Sequence, residues 1–169
     1  MKTILVTGGL GFIGSNFIHY LFETYKENVI VHNVDSMTYS ANVANVTSIE
    51  NAYGGSQYMF HQVDICDANA IDQILKDHPI EAIVNFAAES HVDRSIHDSK
   101  AFIMSNVVGT QTLLDMAKKH KISRFVQVST DEVYGALGNE GEFTEASPIA
   151  PNSPYAASKA AADCLVRSY

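Results

Sequence analysis

The chain has 169 residues, 46% of them hydrophobic and 18% charged. That composition builds one domain with a real apolar core and excludes a disordered chain. A formal net charge of −8 opposes a nucleic-acid partner, yet backbone N–H groups can still hold a phosphate locally.

A first buried strand is predicted over residues 2–7, and it runs straight into glycine. This apolar run is too short for a signal peptide, and no later run is long enough to span a bilayer. A cytoplasmic protein with no membrane partner is the expectation. Residues 12–26 place Phe17, Ile18, Leu21 and Phe22 at helical spacing. Residues 29–34 and 57–63 read as the second and third strands. Residues 68–77 read as a helix, with Ile71, Ile74 and Leu75 on one face and Asp67 as its N-cap. Residues 82–86 form a fourth strand. One long helix is predicted over 100–120, with a stripe of Phe102, Val107, Leu113, Leu114 and Met116. Residues 124–129 form a fifth strand, and 139–152 an ordered surface loop. A last helix starts at Pro154, with Ser153 as N-cap and proline at the first helical position. Cys66 and Cys164 form no CxxC pair, so neither a zinc site nor a disulfide framework is indicated; both are expected as small core residues.

Alternating strands and helices predict an α/β fold, a doubly wound parallel sheet with helices on both faces. Such sheets bind ligands at the carboxyl ends of their strands. The segments just after each strand are therefore where chemistry is expected.

Gly8, Gly11 and Gly14 follow the first strand with GxxGxxG spacing, around Phe12 and Ile13. One glycine permits a tight turn, one lets backbone approach a pyrophosphate, and one lets the helix pack closely on the strand. The helix N-terminus then offers free N–H groups to the phosphates. Glycine spacing alone also fits an ordinary turn. Asp35 supplies the context, because it ends the second strand at about the ~20-residue distance of an acid that holds a ribose 2′-OH. Its charge would repel a 2′-phosphate, which selects NAD over NADP. A Rossmann-type dinucleotide site follows. Asp64-Ile65, after the third strand, could flank the adenine ring or simply cap a loop.

Tyr155 and Lys159 lie four apart on the last helix, so phenol and ammonium share one face. A nearby lysine charge is expected to lower the tyrosine pKa from its ordinary value near ~10 and make it an acid/base for hydroxyl–carbonyl chemistry. The bland alternative is an exposed helix pair. Thr130-Asp131-Glu132 follows the fifth strand. Two adjacent carboxylates are either a solvated turn or an acid and a base in different environments. Ala87 and Ala88, after the fourth strand, are small enough to admit a nicotinamide ribose. His91 reads as structural. No His/Cys/Asp grouping has metal-ligand spacing, and no metal is expected.

Together these segments — the glycine loop, Asp35, Asp64-Ile65, the run from Ala87 to Ser95, Ser129 to Gly135, and Ser153 to Lys159 — resemble the extended short-chain dehydrogenase/reductase family. Within it the acidic pair and Ala87–Ser95 resemble the dTDP-glucose 4,6-dehydratase branch. The resemblance implies a lyase that uses tightly held NAD as a transient hydride acceptor. Tyr155 would take the proton of the sugar 4-OH. Lys159 would tune it and bind the nicotinamide ribose. Thr130 would hydrogen-bond the 4-oxygen, and Ser90 would line the substrate side. Glu132 would remove the C5 proton, and Asp131 would donate one to the leaving 6-OH. The resemblance also implies a second lobe beyond residue 169 for the nucleotide of dTDP-glucose, a homodimer as the full-length enzyme, and no turnover by the 169-residue chain alone. Competing readings are a sugar 4-epimerase, which would not need the acidic pair, and a non-catalytic NAD-binding module, which would not need Tyr155 and Lys159.

Overall fold

The computed structural model describes residues 1–169. Five parallel strands form one sheet in the order β3-β2-β1-β4-β5: β1 (Lys2–Thr7), β2 (Val29–Asp35), β3 (Tyr58–Gln62), β4 (Ala82–Asn85) and β5 (Arg124–Gln127). This is the predicted doubly wound parallel sheet. The strand order reverses direction between β1 and β4, and a crevice opens there at the carboxyl ends.

The two sheet faces carry separate cores. On one, β1 and β2 offer Val6, Val29 and Val31 to Ile18, Leu21 and Phe22 of α1 (Phe12–Tyr25) and to Ile49 of α2 (Thr47–Tyr53). On the other, Leu5, Val34 and Ile83 meet Ile71, Ile74 and Leu75 of α3 (Ala68–Asp77) and Leu113 and Ala117 of α6 (Thr110–Lys119). Alternate residues of one strand thus serve opposite layers, as the period of two requires. Full burial of each such Leu, Ile or Val is worth roughly 1.5–3 kcal/mol.

The predicted caps form. The Asp67 carboxylate accepts from the Asn69 and Ala70 N–H groups, and the Ser153 hydroxyl accepts from Ala156 N at the start of α7 (Pro154–Ser168). Polar side chains fix the ends of the central strands. Asn85 accepts from the Thr7 hydroxyl and donates to Gln127 Oε1 at 2.8 Å, while Thr7 also accepts from Ala87 N at 3.3 Å. Every one of these buried polar groups is paired, which low dielectric demands.

Three expectations need correction. The helix predicted over 100–120 is not continuous. It begins as α5 (Lys100–Phe102), widens into a π-helix over Ile103–Gly109, and tightens again as α6. Asn106 is buried in that wide stretch, and its side chain bonds Glu89 in the loop after β4 and Ser158 on α7; π-turns of this kind recur at functional sites. The cysteines are not core residues: Cys66 is half-buried and Cys164 is exposed on α7. Burial and the carboxylate of Asp64 push the Cys66 thiol up to about 11. Two helices, α2 and α4 (Val92–His97), fall where no element is predicted. Their apolar spacing is too short to read as a stripe.

Candidate active site

A cleft of about 580 Å³ opens over the carboxyl ends of the strands, within the ~300–1,000 Å³ range of small-molecule sites. Gly8, Gly11, Phe12, Ile13, Gly14, Asp35, Asp64, Ile65, Ala87, Ala88, Ser90, Tyr155 and Lys159 all line it.

The glycine loop divides its labour as expected. Gly8 sits at φ +68°, and a Cβ there would stand 2.7 Å from Ala87 N. Gly14 packs on the Gly8 carbonyl, so a side chain would push α1 off β1. Gly11 faces the cleft, and a Cβ there would meet only the Gly8 carbonyl oxygen, at 3.3 Å. Phe12 and Ile13 are exposed at 82% and 60% although α1 begins there, and both border the cleft. The N-terminal N–H groups of α1 thus face a sheltered cavity, a favourable place for an anion.

Asp35 is nearly buried. Its carboxylate accepts from Leu10 N at 3.0 Å and Met37 N at 2.8 Å. These bonds lock the carboxylate between the glycine loop and the turn after β2. Asp64 is exposed and accepts from Cys66 N at 2.9 Å, the loop-capping role, while also lining the cleft. The two readings of Asp64 are compatible.

Of the predicted catalytic residues, Tyr155 and Lys159 line the other end of the cleft, while Thr130, Asp131 and Glu132 lie near the Tyr155 phenol without lining the cleft. Lys159, 3% exposed, donates from Nζ to the carbonyl of Val128 just beyond β5. Burial lowers its pKa, and Asp163 one turn further on opposes that shift. Tyr155 is half-buried with the Phe102 ring edge-on at 6.4 Å. Its phenol is pushed above the ordinary value, first by burial; the Thr130 hydroxyl pulls it down, while Glu132 and Asp131 push it up. The expected lowering by Lys159 is therefore absent here. The ammonium is engaged by a carbonyl, and two carboxylates stand near the phenol instead. Thr130 caps a 3₁₀ turn over Asp131–Tyr134 by accepting from Glu132 N at 3.3 Å. That turn separates the acids. Asp131 is exposed and Glu132 half-buried, so the adjacent carboxylates occupy different environments. His91 is exposed at the start of α4 and does not line the cleft.

Two positioning residues escape a reading by motif. Asn106 donates to the Glu89 carbonyl and the Ser158 hydroxyl, and accepts from Glu89 N, each within 2.8–2.9 Å. Ser95 is buried and its hydroxyl accepts from Tyr155 N at 3.2 Å. Asn106 thus ties the loop after β4 to α7, and Ser95 ties α4 to α7. A polar residue inside an apolar helical stripe was the one available signal for Asn106. A third feature joins the segment after β2 to the segment after β4, where Glu89 lines the cleft. Tyr39 donates to Glu89 Oε2 at 3.2 Å, and the Arg94 guanidinium lies 4.5 Å over its ring.

The pattern of the GDP-mannose 4,6 dehydratase family matches residues 5–169. The chain is 47% identical to the dTDP-glucose 4,6-dehydratase of Xanthomonas campestris pv. campestris (strain B100), an alignment that covers 100% of this chain and 49% of that protein. The solved dTDP-glucose 4,6-dehydratase of Streptomyces venezuelae, with NAD bound, is 46% identical and superposes with a TM-score of 0.92 over 99% of this chain and 51% of that one. The UDP-glucose 4-epimerase of Thermus thermophilus, in complex with NAD, superposes at 0.87 but is 27% identical, over 99% of this chain and 50% of that one. The chain spans about half the length of the curated relatives it matches. Its pattern, its sheet order and its cleft agree, and the chain belongs to the GDP-mannose 4,6 dehydratase family.

Proposed function

We propose that this chain is the cofactor-binding and catalytic half of an NAD-dependent nucleotide-sugar 4,6-dehydratase acting on dTDP-glucose. The observation that carries the reading is that Glu132 and Asp131 stand close enough to act on the phenol of Tyr155, which itself lines the cleft that holds the glycine loop and Asp35. A dehydrogenase or epimerase needs only the tyrosine and lysine. Elimination of water needs a further base and a further acid. The identity to named dTDP-glucose 4,6-dehydratases supports the same choice over the more distant epimerases.

The residues fit NAD. Gly11 leaves bare backbone facing the cleft where a pyrophosphate must approach, Asp35 presents a fixed carboxylate for ribose hydroxyls, and Ala87 and Ala88 keep the far wall low. When bound, NAD supplies a reversible hydride acceptor for the sugar.

The protein's own groups then divide the proton transfers. Tyr155 removes the 4-OH proton as C4 is oxidised to a ketone, and Thr130 holds the 4-oxygen. The ketone acidifies C5–H. Glu132, the less exposed acid, takes that proton, and Asp131 protonates the departing 6-OH. Lys159 holds the ribose and opposes the charge that builds on Tyr155 as it loses its proton. In the chain alone Tyr155 is held protonated, so a cation brought close by ligand binding is what readies it.

Calorimetric titration of the 169-residue chain with NAD and with NADP tests the cofactor half of this reading. Saturable NAD binding with much weaker NADP binding is expected. Equal affinity for the two would overturn it. Joining the chain to the C-terminal half of the Xanthomonas relative then allows turnover of dTDP-glucose to be assayed.

A further inference from the structure

Spacing along the chain gives no metal set, but the fold builds one. His32 on β2, His61 on β3 and His78 just beyond α3 each turn one nitrogen inward, and those three atoms lie within 4.8 Å of one another. His32 Nδ1 and His61 Nε2 are 3.0 Å apart. The His32 ring lies 4.1 Å from that of His78 and 5.3 Å from that of His61, centroid to centroid. The register explains the meeting. His61 pairs with Val34, so it stands diagonally to His32 on the same sheet face. The face is that of Ile74, Leu75 and Ile80, and α3 ends there.

We propose that His32, His61 and His78 form a binding site for a divalent transition metal ion of the zinc class. Three neutral imidazoles with one position open to solvent is a known donor set for such ions. Zinc–nitrogen bonds of about 2.0–2.1 Å put tetrahedral donors about 3.3 Å apart. The His32–His61 separation already matches, and His78 needs only a small approach. Burial is graded the right way, with His32 buried and the other two half-buried, so an ion could enter from solvent. The backbones are fixed. Two histidines sit in paired strands, and Ile80 N donates to the His78 carbonyl at 2.9 Å. The rings also favour their uncharged, ligand-competent form, since burial lowers the pKa values of His32 and His61. Each neutral ring has one bare nitrogen, so an ion would replace the hydrogen bond between His32 and His61 with no net loss of protons.

None of the three lines the cleft, so the site is separate from the proposed chemistry. It would tie the edge strand β3 and the end of α3 to β2. The strands so joined end in Asp35 and lead into Asp64. Its effect is a clamp on that side of the fold, not a catalytic step.

The test uses the full chain without an affinity tag, stripped with EDTA. Zn²⁺ is titrated by calorimetry, and Co²⁺ is titrated for the absorption of a four-coordinate ion. One ion per chain and a higher thermal midpoint are expected. His61→Gln and His78→Gln should each weaken Zn²⁺ by at least about tenfold, since even indirect partners of a metal are worth roughly 10–100-fold. His97→Gln, at an exposed position on α4, should leave it unchanged. Both cluster variants replace half-buried rings and spare buried His32, and circular dichroism checks that they fold. Absence of saturable binding in the wild type overturns the site. So does binding of equal strength in the His61→Gln/His78→Gln double variant, which would place the ion elsewhere.

Discussion

Asn106 donates to the Ser158 hydroxyl at 2.8 Å, next in sequence to Lys159. The same amide grips both backbone groups of Glu89 in the loop after β4. One buried side chain thus sets the distance between the cleft wall and the helix that carries Tyr155 and Lys159. Asn106→Ala leaves the partly buried N–H and C=O of Glu89 without these partners, at a cost toward the low end of about 1–3 kcal/mol. Urea denaturation should show that loss, and NAD affinity should fall with it. Asn106→Asp keeps the acceptor for Glu89 N and should recover part of the stability.

Asp35 sets cofactor choice. Asp35→Asn should weaken NAD by about tenfold or more, since hydrogen bonds to a charged group are worth ~1.5–3 kcal/mol. NADP should lose less or gain, because the repelling charge is gone. Parallel calorimetric titrations read the ratio. An unchanged ratio would remove Asp35 from the ribose site.

Gly8 tolerates no side chain. A residue at φ +68° is strained by roughly 1–2 kcal/mol, and Ala87 N blocks the Cβ at 2.7 Å. Gly8→Ala should lower the thermal midpoint and abolish measurable NAD binding. Gly11→Ala brings its Cβ to 3.3 Å from the Gly8 carbonyl oxygen, a tight contact but a far milder one than the clash at Gly8, so a loss of NAD binding there that exceeds the loss of stability reports the ligand.

Tyr155 ionises late in the unliganded chain. Its folded pKa is raised, so the neutral phenol persists through its ordinary value near ~10 and ionises only as pH rises past it. Ultraviolet difference titration of wild type against Tyr155→Phe should assign one phenol to that late phase. Thr130→Val removes the one favourable neighbour and should move it later still. Glu132→Gln should move it earlier. A Tyr155 pKa below the ordinary value without ligand would contradict the geometry.

Oxidation and elimination should separate in the chimera with the Xanthomonas half. Tyr155→Phe should block the first step, and Glu132→Gln the second, each by about 10²–10⁴-fold. On mixing with dTDP-glucose, Glu132→Gln should accumulate reduced cofactor by absorbance, and Tyr155→Phe should not. Wild-type turnover by Glu132→Gln would revive the epimerase reading.

What the sequence disclosed was periodic or local. β1 to β5, α1 and α3 follow from runs of Val, Ile and Leu, and their caps from Asp67 and Ser153. The glycine loop and Asp35 were legible because each obeys a backbone constraint at fixed spacing. The π-helix was hidden because Phe102, Leu113 and Leu114 keep a helical rhythm on either side of it, and only the buried amide of Asn106 breaks the pattern. The direction of the Tyr155 shift was hidden because it depends first on burial and then on carboxylates that the fold brings near the phenol, with the Lys159 ammonium held elsewhere. The Val128 carbonyl that accepts its hydrogen bond belongs to another part of the chain.

The centre of the sheet has a temporal meaning. β1 pairs with β2 soon after it in the chain, but its other edge waits for β4, where Thr7 meets Asn85 at a separation of 78 residues. Parallel pairing across such a span must meet loop-closure entropy before any contact rewards it, which makes folding slow. Until β4 docks, Gly8 has no Ala87 to face and the cleft lacks one wall. No half-paired sheet can therefore hold a dinucleotide. A ligand that binds only the completed sheet draws the population toward it by mass action, as RT ln(1 + [L]/Kd). In such a chain the cofactor acts also as the last element of the fold, and its concentration sets what share of the chains keeps β4 docked.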